Sequence, residues 1–277
     1  MNLFNLEGSN RKVCALEGNV IKMIDIEKAK VAFKKYVKNY DINNKKINLK
    51  IAHIERTSSI SRKIAEKLNL NEEEVKLAEL IGLLHDVGRF EQVKRYNTFV
   101  DKISINHAKL GAEILFEENK IRDFIEDNKY DEIIKIAILN HNKSPKDLNY
   151  LNEKEELYSK IIRDADKIDI MYILTFEEKQ VAWEKADVEN DKITDEIYRE
   201  FFEDNCINYK NIKTSADILV ANFAYIFDFN YNFSLEIIKN ENYLTRIYNR
   251  FNFKDNETNE RIKKIYEYAI EYMNNNK

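Results

Sequence analysis

The sequence predicts an all-α protein, and three observations support this fold class. The 277 residues include five glycines and one proline, so few residues would interrupt a helix. Residues that favour helices, such as Glu, Lys, Leu and Ile, are abundant. Apolar side chains recur three and four residues apart, which is the spacing of a helix buried on one face. No Pro/Gly/Ser-rich linker divides the chain, so we predict one main domain with helical extensions.

The first predicted helices each carry one apolar face. Residues 24–40 combine apolar side chains with lysines at helical spacing, as expected of an amphipathic helix that covers a core. A second helix is predicted over residues 47–68. His53 and Arg56 lie three residues apart on it, so we expect them on nearly the same side.

The third predicted helix is nearly uniformly apolar in its second half and should be buried. Asn71, followed three residues later by Glu74, is typical of a helix start with a capping box. The apolar run ends at the polar pair His85 and Asp86, and we expect the helix to end near Gly88. This helix would therefore deliver a histidine and a carboxylate into the interior.

Two further histidines are predicted at helix ends. Residues 89–106 are mixed in character and are predicted to contain a loop, after which His107 begins a helix that extends to residue 125. His141 ends the following apolar helix, which polar residues and Pro145 stop. Each of these two helices therefore carries a histidine at one terminus.

The last helix of this central region is predicted over residues 153–174. Asp166 and Asp169 share one side of it with Ile162 and Ile173, which places carboxylates beside the core. The rest of the chain stays helical in pattern and rich in Tyr and Phe, without a second chemical motif. Such aromatic residues at helical spacing favour core packing over stacking on a nucleobase.

The composition argues against two classes of partner. The formal net charge of −4 comes from 45 basic and 49 acidic residues, so the global basic field of a protein that binds bulk nucleic acid or an anionic membrane is missing. Residues 1–12 lack a continuous apolar stretch, and residues 218–227 are too few to cross a bilayer. We therefore expect a cytoplasmic protein.

Cys14 and Cys206 lack a CxxC spacing and are expected to be reduced.

The histidines and aspartates together predict a metal site. An aspartate at the end of so apolar a helix needs a partner, because removing a carboxylate from water costs several kcal/mol. A simpler alternative is that Asp86 caps a turn with Gly88 and His85 is a satisfied core histidine, but this explains that pair alone. A divalent ion explains the whole set, since histidine and carboxylate suit iron, manganese, cobalt, nickel or zinc. The candidate ligands are His53, His85, Asp86, His107, His141 and Asp166.

These residues occur in a known order. The order is a histidine, a His-Asp pair, two more histidines and an aspartate followed by lysine. This order resembles that of the two-metal branch of the HD-domain metal-dependent phosphohydrolases. The stretches LLHDVGRF, NHAKLGAEIL and RDADKID resemble the helices that carry the pair, the third ligand and the final aspartate. The resemblance covers about residues 50–175.

The resemblance implies a fold and domain bounds. The fold would be an all-α HD-domain helical bundle with additional N- and C-terminal helices. Residues 1–45 would form an N-terminal extension with a covering helix, and residues 46–177 the metal-binding catalytic core. Residues 178–277 would form a C-terminal helical extension that packs on this core.

The resemblance also implies one or two divalent metal ions, drawn from Fe, Mn, Co, Ni, Mg and Zn. The first metal would be held by His53, His85, Asp86 and Asp166. Asp86 would bridge to a second metal, which His107 and His141 would also hold. Without these two histidines the resemblance would imply one metal, so their presence favours a binuclear site.

The activity implied is hydrolysis of a phosphate ester of a small molecule, with a nucleotide favoured, by a metal-activated hydroxide. Monoester and diester substrates both stay open. The residues expected in catalysis are Asp86, Arg89 and Lys167. The residues expected to contact the phosphate are Arg56, Arg89, Lys143 and Lys167. For Asp101 and Asp169, an ordinary surface position is favoured over a role in lining the cleft or orienting a ligand or Lys167.

Other functions of the same ligand set stay open. A di-iron oxygenase of this fold uses the same ligands, and a non-catalytic sensor would keep the metal and nucleotide pocket. Arg89 and Lys167 favour hydrolysis, because each follows a ligand as in phosphate-processing relatives. Arg89 stands where a lysine is common, and no GYP motif is present, so the cyclic-di-GMP-cleaving branch is disfavoured. A homodimer is compatible with the sequence.

Overall fold

Helices make up the fold, which confirms the predicted all-α class. The structure is a computed structural model that describes residues 24–143, 148–184 and 187–275. No β-strand occurs within these ranges. The first part of the predicted N-terminal extension, with Cys14, lies outside the described residues, as does Pro145.

The helices up to residue 176 surround the candidate site. They are α1 (Ile26–Val37), α2 (Lys45–Lys67), α3 (Glu72–Leu84), α4 (Val87–Tyr96), α5 (His107–Ala112), α6 (Ile121–Phe124), α7 (Asp131–Asn140) and α8 (Glu153–Phe176). α2 packs along α3 and α8, and α7 packs on α8, so these four helices form the centre of the bundle. α1 packs on α3 and α6.

The later helices are short, apart from the last one. They are α9 (Lys179–Ala182), α10 (Asp195–Phe201), α11 (Ser215–Phe223), α12 (Asn232–Asn240), α13 (Tyr243–Tyr248) and α14 (Asn256–Asn275). α12 and α13 pack on α8, while α10 and α11 pack with α14. Helices α12 and α13 therefore lie against the last helix of the centre, although the domain boundary at residue 178 stays a prediction.

α3 is buried on nearly all sides, as its apolar sequence predicts. Every residue from Leu77 to Leu84 is buried, and Glu79 within this run pairs with Lys30 of α1 at 2.9 Å. The predicted capping box is present at the start of α3, where Asn71 and Glu74 each accept a hydrogen bond from the backbone N–H of the other. No described helix, α3 included, is long and apolar enough to cross a bilayer.

The predicted end of this helix near Gly88 is wrong. α3 ends at Leu84, and α4 begins at Val87 and continues through Gly88 to Tyr96. The loop predicted within residues 89–106 begins at Asn97, whose φ of 51° is left-handed. No described glycine has a positive φ, so Gly88 has none of the backbone geometry of a helix cap.

Gly88 is instead a packing contact between α4 and α5. A Cβ at this position would lie 2.3 Å from the carbonyl oxygen of His107 and 2.6 Å from the backbone nitrogen of Gly111. The two helices approach so closely that only a hydrogen atom fits between them. This contact fixes His107 relative to Asp86, which lies two residues before Gly88.

The helix predicted from His107 to residue 125 is interrupted. α5 continues into a π-helical turn at Glu113–Glu117, and Asn119, with a φ of 59°, separates this turn from α6. Asparagine adopts the left-handed conformation more readily than most residues. The interruption lies beyond the first turn of α5, so His107 still begins a helix as predicted.

We expect Gly88→Ala to destabilise the protein, and Gly111→Ala to do so less. The methyl group at position 88 would overlap backbone atoms, which no side-chain rotation can move, at a cost of about 1–3 kcal/mol or more. At Gly111 the nearest atom to an added Cβ is the Gly88 nitrogen at 3.3 Å, which a small shift would relieve. Urea unfolding of both metal-free variants measures the difference. Equal stability of the two variants would contradict the close helix contact.

Candidate metal centre

The bundle brings the predicted metal ligands to one place. These residues are His53 in α2, His85 and Asp86 between α3 and α4, His107 at the start of α5, His141 at the end of α7, and Asp166 in α8. The histidine side chains are at most 4% exposed, and the Asp86 side chain is 3% exposed. Asp166 is 16% exposed, so solvent reaches the centre on its side.

Two of the histidines are oriented within their own helices. The Nδ1 atom of His85 lies 2.8 Å from the carbonyl oxygen of Gly82, and the Nδ1 atom of His141 lies 2.7 Å from that of Ile138. A carbonyl oxygen only accepts, so each Nδ1 carries the proton and donates it. In the neutral ring the Nε2 atom then keeps a free lone pair, which is the form that binds a metal.

Carboxylates orient the other two histidines. The Nδ1 atom of His53 donates to Asp169 at 2.7 Å, and that of His107 donates to Asp101 at 2.7 Å. A carboxylate behind a histidine fixes the ring and makes it a stronger metal ligand. The sequence favours a surface position for Asp101 and Asp169, but each contacts a candidate ligand.

The first candidate metal position lies between α2, α3 and α8. Asp86 Oδ2 is 3.4 Å from His53 Nε2 and 3.7 Å from His85 Nε2. Asp166 Oδ1 is 3.1 Å and 3.6 Å from the same two nitrogen atoms. The two Nε2 atoms lie 3.3 Å from each other. Each of the two carboxylate oxygens therefore lies near both histidine nitrogens.

The second candidate position uses the other oxygen of Asp86. Asp86 Oδ1 is 3.4 Å from His107 Nε2 and 3.7 Å from His141 Nε2, and these nitrogen atoms are 3.0 Å apart. This oxygen is buried and has no hydrogen-bond partner among the described residues. A buried carboxylate oxygen without a partner is costly, and a cation would satisfy it.

These distances fit two neighbouring divalent ions. Ligand atoms bound at about 2.1 Å to one tetrahedral ion lie about 3.4 Å apart, which is close to the separations within each group. The groups also adjoin, because His85, His141 and Asp166 present ligand atoms within 4.8 Å of one another. Asp86 faces both positions, so it has the geometry of a bridging ligand.

The charges of this centre shift the pKa of its histidines in opposite directions. Burial and the Lys50 charge disfavour the charged form of His53, but hydrogen bonds to three carboxylates outweigh them and raise its pKa to about 10. Burial and the charge of Arg89 lower the pKa of His107 to about 3. Burial opposes ionisation of Asp86, yet Lys50 and the histidines hold its pKa well below the usual range.

Arg56, a predicted phosphate contact, is paired with Asp169. Its Nε and Nη2 atoms lie 2.5 Å and 3.0 Å from the two carboxylate oxygens, and its guanidinium lies 4.4 Å from the centre of the Tyr172 ring. This pairing holds the carboxylate that orients His53. The structure therefore gives Arg56 a supporting contact, and its contact with substrate stays a prediction.

Arg89, predicted for catalysis and phosphate binding, lies beside the second position. Its Nη1 atom donates to the Phe99 carbonyl at 2.6 Å and to Asp101 at 3.0 Å, so it holds the carboxylate that orients His107. Its buried Nε atom has no hydrogen-bond partner among the described residues and lies 3.6 Å from Asp86 Oδ1. This N–H group is available to a ligand bound at the centre.

The two predicted lysines differ in their surroundings. Lys167, predicted for both roles, is buried, and its ammonium lies 2.5 Å from Asp228, which also pairs with Arg163 at 2.6 Å. Lys143 is exposed, with its ammonium 3.4 Å from the Tyr150 hydroxyl. Contact of either lysine with a phosphate stays a prediction.

The sequence reasoning missed Lys50. Its ammonium donates to Asp86 Oδ2 at 2.7 Å, and its side chain is 12% exposed. Lys50 comes three residues before His53 on α2, so its place on the ligand side of the helix was readable from that spacing. Asp228 was missed as well, because its contacts with α8 span more than sixty residues of chain.

Comparison with known proteins identifies the domain that carries this centre. Residues 51–171 match the family model of the HD domain. This part of the chain is an HD domain. HD domains belong to a superfamily of metal-dependent hydrolases and bind divalent metals, which agrees with the clustered histidines and aspartates. No curated protein and no solved structure gives a significant match to the chain.

All the candidate ligands lie within the matched HD domain. Lys50 comes immediately before the match, and Asp228 lies well beyond it. The side chains that contact the candidate ligands therefore include Lys50, which lies just outside the match.

We expect metal binding at the first position to release a proton. His53 carries one in the metal-free protein below about pH 10, whereas a metal requires the neutral ring. Affinity there should rise about tenfold per pH unit between about pH 7 and 9. His107, with a pKa of about 3, adds no such dependence at the second position. Chelator-buffered titrations across this range measure both, and a pH-independent first affinity would contradict a protonated His53.

We expect Asp169→Asn and Asp101→Asn to weaken different metal positions. Each removes the carboxylate behind one histidine, which lowers metal affinity by about 10–100-fold. The first variant should lose metal at the position of His53, and the second at that of His107. Metal content per chain, measured over a series of chelator concentrations, separates the two. Equal loss of both metals in each variant would contradict two separable positions.

Proposed function

We propose that the protein is a divalent-metal-dependent phosphohydrolase that cleaves a phosphate ester of a small molecule, with a nucleotide as the favoured class. The observation that carries this proposal is the division of the Asp86 carboxylate. One oxygen faces His53 and His85, and the other faces His107 and His141. Two adjoining metal positions suit hydrolysis of phosphate esters.

Divalent ions bound at these positions would supply a hydroxide at neutral pH and charge to neutralise phosphate oxygens. His53, His85, Asp86 and Asp166 would hold one ion. Asp86, His107 and His141 would hold the other. The protein contributes the fixed ligand geometry, because each histidine is held through its Nδ1 atom.

The charge balance supports an anionic substrate. Asp169 pairs with Arg56, and Asp101 pairs with Arg89, so these two carboxylates are already neutralised by protein cations. Asp86, which Lys50 contacts, and Asp166 remain as the negative ligands of the centre. Two divalent ions carry more positive charge than these aspartates cancel, and the surplus would attract a phosphate group. The unpaired Nε–H of Arg89 adds a donor at the same place.

A pair of tyrosines supports the choice of a nucleotide. The hydroxyls of Tyr209 and Tyr225 are 2.9 Å apart, and the Lys167 ammonium lies 6.0 Å from the centre of the Tyr225 ring. Burial, the neighbouring Tyr209 and the charge of Asp166 raise the pKa of Tyr225, so this ring lies near the candidate ligand Asp166. Tyr209 is 59% exposed and can contact a ligand. A phenol ring offers a stacking face and a polar end, both of which suit a nucleobase.

The first test combines metal analysis with a substrate screen. The purified protein is supplied with manganese, iron, cobalt, nickel or magnesium and assayed for phosphate release from nucleotide mono-, di- and cyclic phosphates. Release that chelation abolishes supports the proposal. A mixed-valent iron signal with oxygen consumption favours a di-iron oxygenase instead. Tight nucleotide binding without turnover favours a sensor, and absence of metal binding under all conditions contradicts the proposal.

We expect Asp86→Ala to abolish both metal retention and turnover, because it removes the ligand that both positions share. Loss of a residue that only orients a metal ligand costs up to about 100-fold in activity. Loss of the ligand Asp86 itself should lower activity by more than this. Asp41→Ala, which removes an exposed carboxylate, is the control. His107→Ala or His141→Ala should empty the second position and leave the fold intact, as metal content and circular dichroism would show. A fully metallated and active Asp86→Ala protein would contradict the assignment.

A further inference from the structure

Lys50 is the cation that contacts the shared aspartate directly. Its ammonium lies 2.7 Å from Asp86 Oδ2, and the same oxygen lies 3.4 Å from His53 Nε2. The lysine side chain is 12% exposed and its ammonium lies 5.3 Å from the centre of the Phe99 ring. The ammonium therefore uses the oxygen that faces the first candidate metal position.

The other cations near the centre are paired with different carboxylates. Arg56 pairs with Asp169, and Lys167 pairs with Asp228. Arg89 has its shortest contact to an acid with Asp101 at 3.0 Å, and its nearest approach to Asp86 is 3.6 Å. Lys50 differs from all three, because its nearest carboxylate is itself a candidate metal ligand.

We propose that Lys50 competes with the first metal ion for Asp86 and, once the ion is bound, contacts a phosphate oxygen of the substrate. The second part rests on the proposed phosphohydrolase function. The first part requires only that Asp86 binds a metal.

Charge and geometry explain the competition. An ammonium and a divalent ion that share one carboxylate oxygen repel each other over a few ångströms, and burial strengthens this repulsion. Metal binding therefore has to displace the Lys50 ammonium from Asp86 Oδ2. Lysine has a flexible four-carbon stem, so the displacement needs no movement of α2.

The same reasoning explains the phosphate contact. A displaced Lys50 ammonium stays attached to α2 beside the centre, close to the Phe99 ring, whose face attracts cations. It then needs an anionic acceptor, because its carboxylate partner is engaged elsewhere. A phosphate on the metal centre supplies oxygen acceptors at that place, and lysine is a common phosphate ligand in proteins.

The test compares Lys50→Met with Lys45→Met. Both remove one positive charge from α2, but Lys45 is exposed and pairs with Glu178. Competition with a coloured chelator, without substrate, gives the affinity for manganese. Lys50→Met should bind the first manganese ion about tenfold more tightly than the unchanged protein, since one repelling charge is gone. Lys45→Met should match the unchanged protein, and an unchanged affinity in Lys50→Met overturns the competition.

Inorganic phosphate then serves as the probe of the second part. Calorimetric titration of phosphate into the manganese-loaded proteins should show about tenfold weaker binding in Lys50→Met and no change in Lys45→Met. Equal phosphate affinity in both variants overturns the phosphate contact. If the unchanged metal-loaded protein neither binds phosphate nor releases it from esters, the proposed function fails, while the chelator experiment still decides the competition.

A second variant covers loss of folding. Lys50→Met leaves the buried Asp86 without its partner in the metal-free protein, which lowers stability. Lys50→Gln keeps an N–H donor for Asp86 Oδ2 and removes the charge. It should show the same increase in metal affinity with a smaller loss of thermal stability. If neither variant binds manganese more tightly than the unchanged protein, the proposal is overturned.

Discussion

The buried carboxylate of Asp86 is the constraint on which the rest of the candidate centre depends. An apolar helix, α3, carries the chain into the interior, and the charge that follows it cannot be left without partners. Lys50 and the histidines lower its free energy from several sides, although Asp86 Oδ1 still lacks a hydrogen bond in the described structure. The surrounding helices present their termini or polar faces here because this one acid requires it.

A second set of buried charges ties the C-terminal helices to the HD domain. Asp228 lies between Arg163 and Lys167, and Asp164, on the same helix, accepts hydrogen bonds from Asn230 and Ser234. Breaking a buried ion pair costs far more than its net contribution to stability, so such contacts select one packing arrangement. α8 therefore contacts two parts of the protein. Asp166 faces the candidate metal centre, and its neighbours in sequence face the C-terminal extension.

The sequence was sufficient to predict the helical class, the capping box at Asn71 and the residues that cluster as candidate ligands. Local spacing and residue chemistry determine these features. It was insufficient for Gly88, because a glycine that permits close packing looks the same in sequence as one that ends a helix. It was also insufficient for the ion pairs that Arg56 forms with Asp169 and Lys167 forms with Asp228. Their partners lie 113 and 61 residues away, and only the folded chain brings such residues together.

The way in which the histidines are held has a consequence for the order of folding. His85 and His141 are oriented by carbonyl groups three residues earlier, so their own helices suffice. His107 needs Asp101, only six residues away, whereas His53 needs Asp169, 116 residues away. The group around His107 is thus complete in sequence before α8 is synthesised. The other group also needs Asp166 and Asp169 of α8, so only docking of α8 onto α2 completes it.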